Sequence, residues 1–280
     1  MVDSSSSAPK RYALKRDTLV VRGPDRKTWL DGLLTNKVTD VAPGVAGYGL
    51  LLTKQGKIVS DAFLLDSGTD LLLGVAPGRG GAVRQLLDRY LVMEDAELEE
   101  PPTEPHWAIA LERGSEPPAV LAAGALSLGG LRAELEALAE GAPLPDAGEL
   151  LAEYGLGVFG VDFGERDNPH EASLDRLAVS WTKGCYLGQE VVCMQDMRGK
   201  VKRRLVALDG SAALLGAAVA AADVVTGDGS VAGQVTSVHR AAGGARLLAS
   251  ISTSALEAPT ELRALGEPLR VAFGAPAKLS

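Results

Sequence analysis

The eight residues Lys183-Gly184-Cys185-Tyr186-Leu187-Gly188-Gln189-Glu190 bring together an amine, a thiol, an aromatic ring, two glycines, an amide and a carboxylate. A hydrophobic core has no use for that mixture. A backbone that must approach a ligand closely does, because glycine tolerates turns and contacts that a Cβ forbids. Cys185 is the reactive group of the run. It precedes an expected helix start and lies two residues from Lys183, and both a helix N-terminus and an ammonium favour the thiolate. Such a thiolate could act as a nucleophile or as a ligand for a metal or cluster. No histidine neighbours it in sequence, so His106, His170 or His239 could serve as its base only through the fold. The alternative is a buried, inert thiol, the usual state of a free cysteine, and one that suits Cys193 among its apolar neighbours.

Three further places hold groups capable of chemistry. Asp61 stands in an apolar strand, where a carboxylate could orient an amine or serve as a general base; the alternative is a side chain pointing outward from a half-exposed strand. Glu153 ends an amphipathic helix beside Gly155. One carboxylate there could accept two parallel hydrogen bonds from a flat amidine-like edge, such as that of a pterin, although from spacing alone a solvated surface glutamate is the stronger reading. Arg198, Lys200, Lys202, Arg203 and Arg204 form a basic run suited to the carboxylates of a polyglutamate tail, to phosphate or to a partner protein, with a solvated strand equally compatible. Asn168-Pro169-His170-Glu171-Ala172 is a rigid loop or only a turn. Phosphate-binding glycine motifs, a nucleophile elbow and a metalloprotease helix are all absent.

The elements that must position these groups follow from periodicity. Strands are expected at residues 18–22, 48–52, 57–65, 70–75 and 107–111, with Gln55-Gly56 as a hairpin turn. Helices are expected after Gly23-Pro24-Asp25 and at residues 78–92, 131–140, 146–154 (Asp146 as N-cap) and 187–197, the last stopped by Gly199. Residues 94–100 read as an exposed acidic strand and residues 155–168 as glycine-rich loop. From Val201 onward, short β-rich runs separated by Gly and Asp turns predict a small antiparallel barrel or sheet. The class is therefore α+β with a C-terminal all-β module. The expected organisation is a disordered tail at 1–10, an α+β region of two interleaved subdomains at 11–200 and a β-barrel at 201–280.

Composition narrows the function. Net charge is −8, which argues against partners recruited by bulk attraction to nucleic acid, and the basic run lacks the interleaved aromatics of a single-strand binder. No apolar run reaches the roughly 20 residues of a membrane span, and the Ser-rich start lacks a signal peptide's apolar region. Two cysteines, eight apart, form no disulfide framework and cannot by themselves complete a zinc or iron–sulfur site. A cytoplasmic, reducing compartment fits best.

Taken in order, several segments carry a family likeness: Arg22-Gly23-Pro24-Asp25 with Leu34-Thr35-Asn36, Gly56 to Asp61, Leu151 to Gly155 with Phe159-Gly160 and Asp162, Asn168 to Ala172, and above all Lys183 to Glu190. The chain resembles the YgfZ type of folate-binding protein, a relative of the glycine-cleavage T-protein (aminomethyltransferase), over about residues 11–280. The resemblance implies a T-protein-like multi-part ring with tetrahydrofolate, or a one-carbon derivative of it, in a central opening, and a C-terminal antiparallel β-barrel. It implies that Glu153 grips the pterin, with Tyr186, Gln189 and Arg198 also on the cofactor, and that Lys183 and Cys185 are the functional pair. It further implies a role in assembling or repairing iron–sulfur clusters, including those of tRNA-modifying enzymes, with cluster enzymes or assembly factors as partners. Cys185 would then react with a one-carbon unit or transiently hold sulfur or iron.

Two departures bear on chemistry. T-proteins carry paired acids in the strand block, where this chain has Ser60-Asp61, and Lys37 stands where an Asp often follows Asn. Both put aminomethyl transfer in doubt and leave folate binding open. The competing expectations are a folate-dependent one-carbon transferase using Asp61, and a non-catalytic scaffold that kept the fold and lost its ligand.

Overall fold

The computed structural model describes residues 10–43, 46–101, 106–111, 131–136, 146, 148, 151–152, 155–199, 201–216, 219–241, 243–258 and 260–273. The chain divides into two compact units that interleave in sequence. The first comprises Met1–Leu51, Asp61–Ala147 and Arg176–Tyr186; the second comprises Leu52–Ser60, Gly148–Asp175 and Leu187–Ser280.

The first unit begins with strands β1 (Lys10–Leu14) and β2 (Asp17–Arg22), helix α1 (Arg26–Asp31) and strand β3 (Ala46–Leu52). Strands β4 (Ile58–Asp66) and β5 (Leu71–Val75), helix α2 (Gly80–Asp88) and strands β6 (Glu97–Glu99), β7 (His106–Leu111) and β8 (Leu131–Glu136) follow. One sheet has five strands in the order β3-β4-β5-β2-β6 and another has three in the order β1-β7-β8. In β2, Thr18, Leu19, Val20 and Val21 are all buried, and in β4 only Val59 is not. Runs of this kind are covered on both faces, which is why they read as continuous apolar segments rather than alternating ones. Trp107 locks into this interior: its indole N–H donates to Thr18 Oγ1 at 3.0 Å, and its ring fills the space that a side chain at Gly74 would need.

Two expected helices differ in the structure. Residues 131–136 form β8, paired antiparallel with β7 from His106↔Glu136 to Leu111↔Leu131. Leu131, Ala133 and Leu135 alternate with Arg132, Glu134 and Glu136, a period of two that the Ala/Leu/Glu composition masks, and strand pairing outweighs local helix propensity. Helix α2 stops at Asp88 rather than continuing to Val92. The indole of Trp29 donates to the Tyr90 carbonyl at 2.9 Å, and the Glu94 carboxylate accepts from the Val92 and Met93 N–H groups, so the chain turns away there. Of the helix expected at 146–154, Gly148, Leu151 and Ala152 are helical and Asp146 bridges to Ala13; the rest lies outside the described residues.

The second unit holds helix α3 (Gln189–Arg198), strands β9 (Arg203–Gly210), β10 (Asp223–Thr226), β11 (Val231–Ala241) and β12 (Gly244–Ser252), the short helix α4 (Thr253–Glu257), and strands β13 (Leu262–Ala264) and β14 (Glu267–Phe273). The six strands close into a barrel in the order β10-β11-β12-β9-β14-β13. Closure leaves no free sheet edge. Its interior is built from Leu208, Val224, Val235, Leu247, Ile251 and Leu262 with their neighbours. Among the described residues no helix is long and apolar enough to cross a membrane.

Candidate functional site

Lys183 is a tightly held charged group of the first unit. Its side chain is 1% exposed, and its Nζ donates to the carbonyl oxygens of Asp31, Leu34 and Asn36 at 2.5, 3.0 and 3.0 Å. The Asp31 carboxylate lies 3.3 Å away. Three carbonyls use all three donors of an ammonium. They come from the end of α1 and the turn after it, where carbonyls lack helical partners. Burial lowers the pKa of the amine, Asp31 opposes that shift, and Lys37 adds to it. The amine is thus engaged with the backbone of residues 31–36. Thr35 completes the same joint. Its hydroxyl donates to the Ala178 carbonyl and accepts from Leu50 N, while Ser180 N donates to the Thr35 carbonyl at 3.0 Å.

Between Lys183 and buried Tyr186 the chain is open. Gly184 and Cys185 are exposed, and no atom lies within 4 Å of where a Gly184 Cβ would stand. Lys183 Nζ sits 5.8 Å from the centroid of the Tyr186 ring, within cation–π range. The thiol is thus carried on a short arch whose two feet are fixed. Trp181, at 42% exposure, lies just before the first foot.

Asp61 is buried, not turned outward from a half-exposed strand. Arg16 Nη1 lies 2.7 Å from its Oδ1, and the Tyr48 hydroxyl donates to Oδ2 at 3.2 Å. The Arg16 and Asp61 side chains are only 7% and 3% exposed. The Arg16 guanidinium also lies over the Phe63 ring, 4.8 Å from its centroid. Burial and the charge of Asp61 push the Tyr48 phenol well above its ordinary range, with Arg16 pulling the other way, so Tyr48 remains a donor. Both oxygens of the Asp61 carboxylate are thus engaged by protein partners.

In the second unit the end of the eight-residue run packs on the hairpin tip. Thr53 N donates to the Lys57 carbonyl at 2.8 Å and Gly56 N to the Thr53 carbonyl at 2.9 Å, closing the turn expected at Gln55-Gly56. Gly188, at φ +82°, sits so near this turn that a Cβ would stand 2.5 Å from the Thr53 carbonyl oxygen. The close approach read from the glycines is therefore, at Gly188, an approach to the chain itself. Helix α3 begins at Gln189, which is half-buried, and ends at Arg198, which is exposed, before Gly199 at φ +60°. Cys193 is half-buried; burial, then Asp196, raises the pKa of its thiol, which favours the protonated form.

Asn168 to Ala172 forms a turn bonded to itself. Asn168 Oδ1 accepts from the N–H groups of His170 and Glu171 at 3.0 and 2.9 Å, and Glu171 Oε2 accepts from Asn168 Nδ2 at 2.7 Å. His170 Nε2 lies 3.5 Å from Asp196 Oδ1, connecting this turn to α3. Glu153 lies outside the described residues. Among the described residues no group of three or more His, Cys, Asp or Glu side chains could hold a metal ion.

Several working residues escaped the sequence reading. Arg16, Tyr48 and Asp31 gave no local signal, since each meets its partner only through the sheet or turn. Asp162 was noted only as part of a pattern. It is buried and accepts from Thr236 and Ser237 hydroxyls, both at 2.6 Å, and from Val158 N at 2.8 Å. Both hydroxyls reach it because β11 bulges between Val235 and Ser237. An Asp following a Gly-Val pair in a glycine-rich loop was the available hint.

The fold defines the class. The chain superimposes on the crystal structure of glycine cleavage system aminomethyltransferase T from Bartonella henselae with a TM-score of 0.71 and 17% identity, covering 95% of this chain and 85% of that one. At that identity the likeness speaks for the fold alone: a T-protein-like α+β architecture with a closed six-strand barrel. In sequence the chain is 30% identical over 227 residues to human mitochondrial iron–sulfur cluster assembly factor IBA57, covering 68% of this chain and 63% of that protein. It is 26% identical over 281 residues to the mouse protein of the same name, covering 87% of this chain and 77% of that one. A homologue of IBA57 from Chaetomium globosum is 25% identical over 237 residues, and this chain covers 54% of it. The chain thus spans under two thirds of the human and fungal relatives. No family model matches it. Fold and sequence together identify a YgfZ-type relative of the glycine-cleavage T-protein.

Proposed function

We propose that this chain is a tetrahydrofolate-binding protein that supports the assembly or repair of iron–sulfur clusters, through them sustaining tRNA-modifying cluster enzymes, and that Cys185 carries its chemistry. The observation behind this reading is the exposed Cys185 thiol on an arch fixed at Lys183 and Tyr186. Relatives named as iron–sulfur cluster assembly factors support the biological half of the reading. A thiol so displayed can meet iron or sulfur delivered as cargo without the arch having to unfold. Lys183 acts as a positioning residue, holding one foot of the arch against the end of α1. Cluster enzymes or their assembly factors are the partners this reading calls for, and the cytoplasm is the compartment that two unbridged cysteines suit.

Tetrahydrofolate has a flat ring with a donor edge and a tail of carboxylates. The donor set of the chain fits the tail: Arg198 presents an exposed guanidinium with no ion pair among the described residues, and Gln189 a half-buried amide at the other end of α3. Glu153 is assigned to the ring edge and Tyr186 to packing. When bound, the folate supplies a carrier for one-carbon units. An anaerobic tetrahydrofolate titration followed by tryptophan fluorescence tests this half, with Trp181 as reporter. Saturable binding by the wild type that Glu153→Ala weakens is expected, and no binding by the wild type would remove the folate from the account.

A second reading, folate-dependent aminomethyl transfer, draws on the fold and on the carboxylate at Asp61. Arg16 and Tyr48 already engage both oxygens of that carboxylate, which weakens the reading. Aminomethyl transfer abolished by Asp61→Asn would restore it.

A further inference from the structure

The turn that follows α1 is folded around a cation. Asp31 divides its carboxylate between two tasks: Oδ1 accepts from Val38 N at 2.7 Å, and Oδ2 lies 3.3 Å from Lys183 Nζ. The same residue gives its main-chain carbonyl to that ammonium, together with the carbonyls of Leu34 and Asn36. The Thr35 carbonyl between them takes Ser180 N instead. The turn is also tied to β3 and to itself. Thr35 N donates to the Leu50 carbonyl at 3.0 Å, Asn36 Nδ2 to the Tyr48 carbonyl at 3.0 Å, and Lys37 N to Asn36 Oδ1 at 2.9 Å. Among the described residues, the charged and titratable groups acting on the amine are Asp31 on α1, Lys37 on the turn, itself 3.3 Å from Asp40, and Tyr186 at the other foot of the arch.

This cradle suits an ammonium and not a neutral amine. A neutral amine has two N–H donors and a lone pair, so one of the three carbonyls would face the lone pair. Burial works against the charge on Lys183, and Asp31 works for it. Without the carboxylate, a desolvated cation would be left with carbonyl dipoles alone. Asp31 therefore serves this foot of the arch twice, by shaping the turn through Val38 and by holding the cation in it. Gly184 and Cys185 follow Lys183 directly. Gly184 adds no packing of its own, since no atom lies within 4 Å of where its Cβ would stand. The order of the arch thus comes from its feet, and slack at Lys183 reaches the thiol within two residues.

We propose that Asp31 is a positioning residue for Cys185: its carboxylate closes the cradle around the Lys183 ammonium and thereby sets the arch on which the thiol is displayed. The proposal deepens the Cys185 reading given above and rests on it. Asp31 acts through Lys183 and not on the thiol. A carboxylate that only capped the turn at Val38 would stabilise the fold without any bearing on Cys185, and that is the alternative the experiment must separate.

The test labels Cys185 of the full chain with a trifluoroacetonyl group, in a Cys193→Ser background that leaves Cys185 as the only thiol, and reads its fluorine NMR line. Asp31→Asn keeps an oxygen for Val38 N and removes the charge. It should move the line toward the position found in the urea-unfolded protein and narrow it. Lys183→Met should move the line further in the same direction. In the double variant the line should sit where Lys183→Met alone puts it, because a residue that acts through Lys183 has nothing left to act on. Should Lys183→Met fail to fold, Lys183→Gln, which still donates to two of the carbonyls, takes its place in the cycle. In cells lacking the native copy, cluster-enzyme activity with Asp31→Asn should fall about fivefold, the factor for one weakened charge-assisted contact. An Asp31→Asn line that coincides with the wild type, a double variant displaced by the sum of the two single shifts, or wild-type activity of Asp31→Asn overturns the proposal and leaves the Cys185 reading standing. Cys185→Ala is assayed beside it: cluster-enzyme activity that survives this change takes down the Cys185 reading itself, and the role of Asp31 with it.

Discussion

Lys183 and Cys185 stand two residues apart and have opposite surroundings. The lysine is buried and spends every donor on a backbone carbonyl; the cysteine is exposed on an open arch. A similar contrast separates the Asp61 cluster, where a carboxylate, a guanidinium and a phenol satisfy one another out of water, from the exposed cations Arg198, Lys202 and Arg203. The lesson is that a motif rich in reactive side chains divides labour. Some of its groups hold the backbone, and others are left available because those hold it. A charged group already saturated by protein partners has little left for a ligand, whereas an exposed group on a fixed backbone can meet one with little reordering.

The contrast can be tested by removing held and displayed groups in turn. Arg16→Met should have the largest effect, about 3–5 kcal/mol of lost stability in urea unfolding, because it strands the Asp61 carboxylate in the interior. Adding Asp61→Asn to that variant should recover part of the loss, and strictly additive effects would mean that the two side chains do not interact. Lys183→Met should cost about 3 kcal/mol, since three part-buried carbonyls lose their donor. A Lys183→Met protein as stable as the wild type, yet inactive, would return the lysine to the chemistry. Asp162→Asn should cost about 1–2 kcal/mol, because an amide oxygen still accepts from Ser237 or Thr236 but without its charge. Cys185→Ala should shift stability by no more than about 0.5 kcal/mol, as expected of an exposed side chain. An effect as large as that of Lys183→Met would show that the thiol too is structural.

Much of the architecture was legible in the sequence. The apolar runs of β2, β4 and β5, the Gln55-Gly56 turn and the Gly-punctuated β segments after Val201 all became the expected elements, and the barrel closed. Residues 131–136 were misread because Ala, Leu and Glu favour helices while pairing with β7 decides the outcome. The site was legible in part. The mixture of residue types at Lys183 to Glu190 singled out the segment, but types alone cannot say which side chains turn inward. Lys183 is held by carbonyls, which no side-chain pattern encodes, and Asp61 is paired with an arginine 45 positions earlier. Gly188 read as room for a ligand and is room for Thr53.

The most direct test of the central claim pairs function with folding in one variant. Cys185→Ala would be expressed in cells lacking the native copy, iron–sulfur enzyme activity assayed there, and urea unfolding measured on the purified protein. The account predicts that cluster-enzyme activity is lost while the unfolding midpoint stays with the wild type. Cluster-enzyme activity that survives in cells carrying only the alanine variant would contradict it.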